Sequence, residues 1–200
     1  MTHHIDLETL VLSEGSHTDP ADGSCLLEAV ALWAGEPYTD HPGCVSKVLA
    51  VFGRAWNDGM RSDEERAQLR QYIPLLVGTA GDADADERRA KMATDWLVRI
   101  CAPTWLRLAE LNGHAERLEG LQPITSDARA DAEAVDEAAA TVARAAAMAA
   151  AMAAAMANVS AAGAAAGAAT RAVAMAALEP TAQELQQSAH AVFRRMIAGR

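Results

Sequence analysis

The sequence predicts an all-α protein, a compact helical bundle over residues 1–125 followed by a long alanine-rich helical extension, and three observations predict it. Apolar residues recur at spacings of three and four throughout the first part, as expected of helices that bury one face. Capping and breaking residues punctuate these runs at helical lengths. From Ser126 to Leu178 the composition turns abruptly to alanine, the residue of highest helix propensity.

Residues 6–12 hold Leu7, Leu10, Val11 and Leu12, a patch that fits either a strand or one helical turn. The stretch from Gly15 to Gly23 is rich in turn formers and ends where Asp22 or Ser24 can cap a helix running to about Ala34. Leu26, Leu27, Val30, Leu32 and Trp33 leave that helix little polar face beyond Glu28, which places it near the middle of the fold. A second helix over 45–57 aligns Val45, Val48, Leu49, Phe52 and Trp56 inward, with Lys47 and Arg54 toward water and Asp40 as the expected cap. Ser62-Asp63-Glu64-Glu65 matches a capping box and starts a third helix, which Pro74 should stop or kink near residues 71–73. A fourth helix spans about 84–101, with Met92, Trp96, Leu97 and Ile100 at helical spacing and Asp82, Asp84, Asp86 and Glu87 at its positive end. Pro103 then opens a short helix carrying Trp105, Leu106 and Leu108, and Gly113 separates it from a last turn through Leu118 and Leu121.

Taken as one rod, residues 127–178 would reach about 78 Å at roughly 1.5 Å per residue. Asn158-Val159-Ser160 and Gly163 weaken its middle, so a helical hairpin folding near 158–163 is the preferred arrangement. Pro180 is expected to restart the chain as the first residue of an amphipathic end in which Leu185, Ala189, Val192, Phe193, Met196 and Ile197 share a face.

The chain carries 17 basic and 27 acidic residues, a net charge of −10. Residues 1–126 account for −9 of it, so a general grip on a phosphate backbone is excluded and no nucleic-acid partner is expected. The N-terminus lacks the basic flank and apolar core of a secretory signal, and three cysteines are a sparse, odd set. Both observations point to a cytoplasmic protein with reduced thiols.

Between Arg144 and Arg171 there is no charge, and Met148, Met152 and Met156 recur every four residues among alanines. Successive members rotate by about 40°, so they form a greasy band on one side of a helix. Gly163, Gly167 and Met175 extend this surface, whose methyl groups let another helix approach near the lower end of the usual ~8–10 Å interaxial distance. Helix pairing with a protein partner, or self-association, follows. A membrane span is the weaker reading, because alanine buries only about one methyl per residue and neither aromatic nor basic residues flank the stretch.

Cys25 stands at a predicted helix start, where the dipole favours a thiolate and a nucleophile. Asp22-Gly23-Ser24-Cys25-Leu26-Leu27 resembles the nucleophile segment of ovarian-tumour-domain cysteine proteases, whose pattern is Asp-Gly-x-Cys-Leu-Phe. That likeness covers six residues, and the late histidines, His114 and His190, sit in no matching segment; a buried structural thiol is the preferred reading. His41 and Cys44 have a spacing that can bite one metal, and His17 with Cys25 could complete a tetrahedral zinc site. Without a paired C-x-x-C, no cofactor is the default expectation. A metal-binding or thiol-dependent activity at Cys25, His41 and Cys44 is thus the alternative to a non-enzymatic interaction role.

The run from Gly23 through Trp56-Asn57-Asp58, with Asp40-His41-Pro42 and Cys44, followed by Ile73-Pro74, Leu76-Val77-Gly78-Thr79 and Asp95-Trp96-Leu97, resembles a family of uncharacterised proteins from actinobacteria and their phages. Members are similar in having a helical N-terminal region, a variable alanine-rich extension and a closing segment like Leu178-Glu179-Pro180-Thr181. The resemblance implies a bacterial or phage origin and transfers no activity.

Overall fold

The computed structural model describes residues 6–124 and 164–199, with side chains in the second stretch from Glu179 onward. The described residues are helical and contain no strand. The helices are α1 (Leu26–Ala34), α2 (Lys47–Gly59), α3 (Asp63–Ala67), α4 (Ile73–Leu76), α5 (Ala83–Trp96), α6 (Ala102–Leu108), α7 (Asn112–Glu119) and α8 (Ala164–Ala198). The chain divides into one compact unit of residues 1–90 with 193–200 and another of residues 91–192. The boundary anticipated at 125/126 and the hairpin at 158–163 lie outside the described residues.

In the first unit α1 is central as its composition requires, with Leu26, Leu27, Ala29, Val30 and Ala31 all without solvent contact. Glu28 is equally buried, so the one expected polar position of α1 faces inward. Neither Asp22 nor Ser24 caps this helix: Cys25 does, its sulfur accepting from the Glu28 amide while the Glu28 carboxylate takes the Cys25 amide. Asp22 instead ends a 3₁₀ turn, Pro20–Asp22, capped by Asp19. Residues 6–10 form a helical turn closed by the Leu10 amide on the Asp6 carbonyl. Arg70 holds that turn by donating to the Leu7, Glu8 and Leu10 carbonyls.

Helix α2 buries Leu49, Ala50, Gly53 and Trp56, and its cap is Ser46 rather than Asp40. Asp40 lies too far upstream to reach the first turn and instead takes Arg54 on its main-chain carbonyl, at 2.6 Å. Ser62 caps α3 through the Glu65 amide, but the Glu65 carboxylate accepts from the Arg61 amide and completes no reciprocal box with Ser62. A 3₁₀ stretch, Gln68–Tyr72, then leads into α4, where Pro74 occupies the first turn and costs no hydrogen bond. Phe52, Trp56, Tyr72 and Phe193 make an aromatic core with ring centroids between 5.0 and 6.0 Å apart.

Pro103 sits in the first turn of α6 as the sequence predicts, but the helical run reaches it without a break. A π turn, Leu97–Cys101, joins α5 to α6, with the Ala102 amide bonded to the Leu97 carbonyl. Pro103 has no amide to give the preceding turn, and widening that turn absorbs the mismatch. The extra residue rotates the apolar face: Val98 and Leu106, with Ala115, Leu118 and Ile124, form the core of the second unit, while Leu97 and Ile100 turn outward. Gly113 lies inside α7 rather than before it, since the Leu111 carbonyl accepts the His114 and Ala115 amides and starts the helix earlier.

Pro180 likewise restarts nothing, for α8 runs through it. Alanine on its N-terminal side supplies the propensity that tolerates one lost main-chain bond. The amphipathic end is as the spacing predicts, with Leu185, Ala189, Val192, Phe193, Met196 and Ile197 all buried.

Candidate functional site

The polar centre of the first unit is the carboxylate of Glu28, placed by the single turn that separates it from Cys25. It accepts from the amides of His17 (2.5 Å) and Cys25 (2.7 Å), from His17 Nδ1 (2.9 Å) and from the Tyr38 hydroxyl (3.2 Å). The Tyr38 hydroxyl also donates to the Gly23 carbonyl at 2.5 Å and lies 3.3 Å from the Ser24 hydroxyl. Gly23 adopts φ +131°, and a Cβ there would sit 2.9 Å from His17 Nε2, so the imidazole lies against glycine. Asn57, also fully buried, accepts from the Leu26 amide and donates to the Ser13 carbonyl, fixing the loop that delivers His17.

Burial pushes the Glu28 carboxyl up, but the amides of His17 and Cys25 and the His17 ring outweigh it and hold the group below its ordinary range. Glu28 is therefore an ionised carboxylate at neutral pH. The same carboxylate works against a second anion. Burial foremost, with Glu28 adding repulsion, raises the Cys25 thiol to about 12, and burial raises Tyr38 to about 12. Cys25 is 1 % exposed and its sulfur is a neutral thiol at physiological pH.

His17 and Cys25 thus meet on one carboxylate, whereas His41 and Cys44 do not join them. The His41 ring is largely exposed and lies 3.6 Å from Asp40. Cys44 is half-buried, its thiol raised by burial and by neighbouring Glu36. Cys101 is half-buried and likewise raised by burial. Among the described residues no group of three or more His, Cys, Asp or Glu side chains is arranged to hold a metal ion. Met148, Met152, Met156 and Gly163 lie outside the described residues; Gly167 and Met175 fall within α8.

A cleft of about 680 Å³ opens in the first unit where the N-termini of α2 and α5 converge. Its charged lining is mixed. Ser46 and Asp86 are bonded to each other, Asp86 is paired with Arg89 at 2.8 Å, and Asp82 caps the Ala85 amide. Burial raises the Asp86 carboxyl, yet the Ser46 hydroxyl and the Arg89 guanidinium hold it below the usual carboxylate range. Both anion-seeking helix ends are thereby occupied by the protein's own acids.

Sequence reasoning missed Glu28, Asn57, Arg66, Thr79 and Arg89 as buried polar groups. The only signal was position: Glu28 stands three residues after a residue able to cap, and Arg89 follows Asp86 at a spacing that allows an ion pair. No helix among the described residues is long and apolar enough to cross a membrane. Comparison of the chain with protein-family models, with curated proteins and with solved structures finds no match.

Proposed function

We propose that this chain is a non-enzymatic helical interaction and assembly protein of the bacterial or phage cytosol, which packs an alanine and methionine helix surface on another protein molecule, a second copy included. The observation that carries the reading is α8: one unbroken helix joins the alanine-rich stretch Ala164–Ala177 to a terminal turn whose Phe193 and Met196 are fully buried. Burial of that apolar end in the chain's own fold makes it an anchor, which leaves the alanine-rich stretch as the part of α8 whose composition suits close helix pairing. The polar network around Cys25 supports the same reading, because its bonds tie a loop to a helix and keep the sulfur protonated.

Native mass spectrometry of the full chain tests it, comparing wild type with a variant carrying Met148→Glu, Met152→Glu, Met156→Glu and Met175→Glu. Charges on that surface should reduce the assembly to the mass of one chain while helicity by circular dichroism is retained. A wild-type chain that is already monomeric at micromolar concentration, or an assembly mass unmoved by the four substitutions, overturns the reading.

A further inference from the structure

Helix α2 lines the cleft of about 680 Å³ with Lys47, Ala50, Val51 and Arg54, whose spacing puts them on one helix face. A cavity of that size falls within the range of about 300–1,000 Å³ typical of small-molecule sites. Pro42 and Val45 join Ala50 and Val51 to give the cleft an apolar side, on which Val51 remains 60 % exposed. Its acids are already engaged. Asp82 accepts the Ala85 amide, and Asp86 takes the Ser46 hydroxyl and the Arg89 guanidinium. Its cations are not. Among the described residues no acid or other acceptor partners the Lys47 ammonium, and Arg54 gives one N–H, from Nη1, to the Asp40 carbonyl while its Nε stands 4.0 Å from the Asp40 carboxylate. Lys47 also opens α2, the end of a helix at which a cation is disfavoured. In a chain of net charge −10, the uncommitted charge of this cleft is therefore positive.

We infer that this cleft binds a small organic anion, a carboxylate or phosphate head on an apolar body, with the head on the Lys47 ammonium and the body along Ala50 and Val51. Arg54 stands two turns further on, about 10 Å along the helix, and adds positive charge at the far end. Side chains make this site, and helix ends do not: the first amides of α2 and α5 are already bonded by Ser46, Asp86 and Asp82. An ammonium–oxyanion contact is charge-assisted, and the anion would also offset the unfavourable place of Lys47 on the helix dipole. A cationic ligand is disfavoured on the same grounds, since it would meet the free ammonium and find both acids occupied. The cleft lies wholly within the first unit, so the site stands or falls apart from the assembly reading.

Isothermal titration calorimetry of the full chain tests this with 1-naphthoate, 1-naphthyl phosphate, uncharged 1-naphthol and inorganic phosphate as probes. At least one of the two naphthyl anions should bind once per chain with Kd below about 1 mM, and about tenfold or more tighter than 1-naphthol or inorganic phosphate. The tighter of the two anions names the head group. Lys47→Met, at an exposed position and with a stem of similar length, should weaken that anion about tenfold while helicity by circular dichroism is retained. Val51→Asp, which sets an acid on the apolar side, should abolish the binding. No binding of either anion at that concentration, 1-naphthol binding as tightly as the anions, or an affinity unmoved by Lys47→Met overturns the site.

Discussion

The Nε of Arg89 donates to the main-chain carbonyl of Met196 at 3.1 Å, across 107 residues of sequence. The same guanidinium reaches the Thr79 carbonyl at 3.1 Å and Asp86 at 2.8 Å, and Arg89 is 1 % exposed. One side chain thus ends the last helix, closes the α4–α5 loop and neutralises an acid. Arg89→Met would leave the Thr79 and Met196 carbonyls without this donor and Asp86, still held by Ser46, without its counter-ion, and a loss of about 3–5 kcal/mol is expected. Urea denaturation gives the magnitude, and hydrogen exchange should show amides 193–199 losing protection first. A loss below about 1 kcal/mol would contradict the arrangement.

The Cys25 thiol at about 12 makes a prediction about reactivity. At pH 8 only about one molecule in ten thousand carries the thiolate. Alkylation of the native chain, followed residue by residue by mass spectrometry, should leave Cys25 the slowest of the three cysteines. Its rate should climb tenfold per pH unit as long as the fold persists. Cys25→Ser keeps an oxygen able to cap α1, so stability should stay within about 1 kcal/mol of wild type, whereas Cys25→Val should cost about that much through the lost cap. Rapid alkylation of Cys25 at neutral pH would show that the sulfur is not held as described.

Glu28 supplies a pH dependence whose sign is fixed by its environment. Its folded-state carboxyl lies below the ordinary value, so its contribution is complete above about pH 5 and is lost as pH falls through the folded value. Glu28→Gln cannot accept from two amides, an imidazole and a hydroxyl together. A cost of about 2 kcal/mol or more is expected at pH 7, shrinking as pH falls from the ordinary carboxyl value, where the unfolded chain takes up its proton, through the lower folded one. Paired urea titrations from pH 3 to 7 measure the gap. A gap that is constant with pH would mean that charge at this position is irrelevant.

Helix existence was legible because burial here follows the apolar spacing. The six residues of the α8 face are all inside, and α1 is surrounded as its composition demands. Phase was legible only while the pitch stayed constant, so the π turn at Leu97–Cys101 turned the expected Leu97 and Ile100 outward and brought Val98 in. Caps misread at Asp40 and Ser24 share another cause. Several residues able to cap stood near each helix start, and the choice among them was made by the distant partners Thr79 and Asp86 for Ser46, and by His17 and Tyr38 for the Cys25–Glu28 pair. Glu28 and Arg89 were invisible for the same reason, since single-residue polarity argues for the surface and only long-range partners permit burial.

Gly23 joins the loop to the network, and its replacement separates backbone strain from side-chain chemistry. At φ +131° an L side chain is strained, and a Cβ would also lie 2.9 Å from both His17 Nε2 and Ser13 Oγ. Gly23→Ala should therefore cost about 1–3 kcal/mol from the backbone, with the His17 ring displaced from Glu28 in addition. His17→Ala removes the ring bond and the clash together but keeps the His17 amide on the carboxylate. In a double-mutant cycle read by thermal or urea unfolding, Gly23→Ala should be less costly in the His17→Ala background, because one of its two contacts is gone. Equal costs in both backgrounds would show that strain at residue 23, and not its contact with the imidazole, is what the glycine relieves.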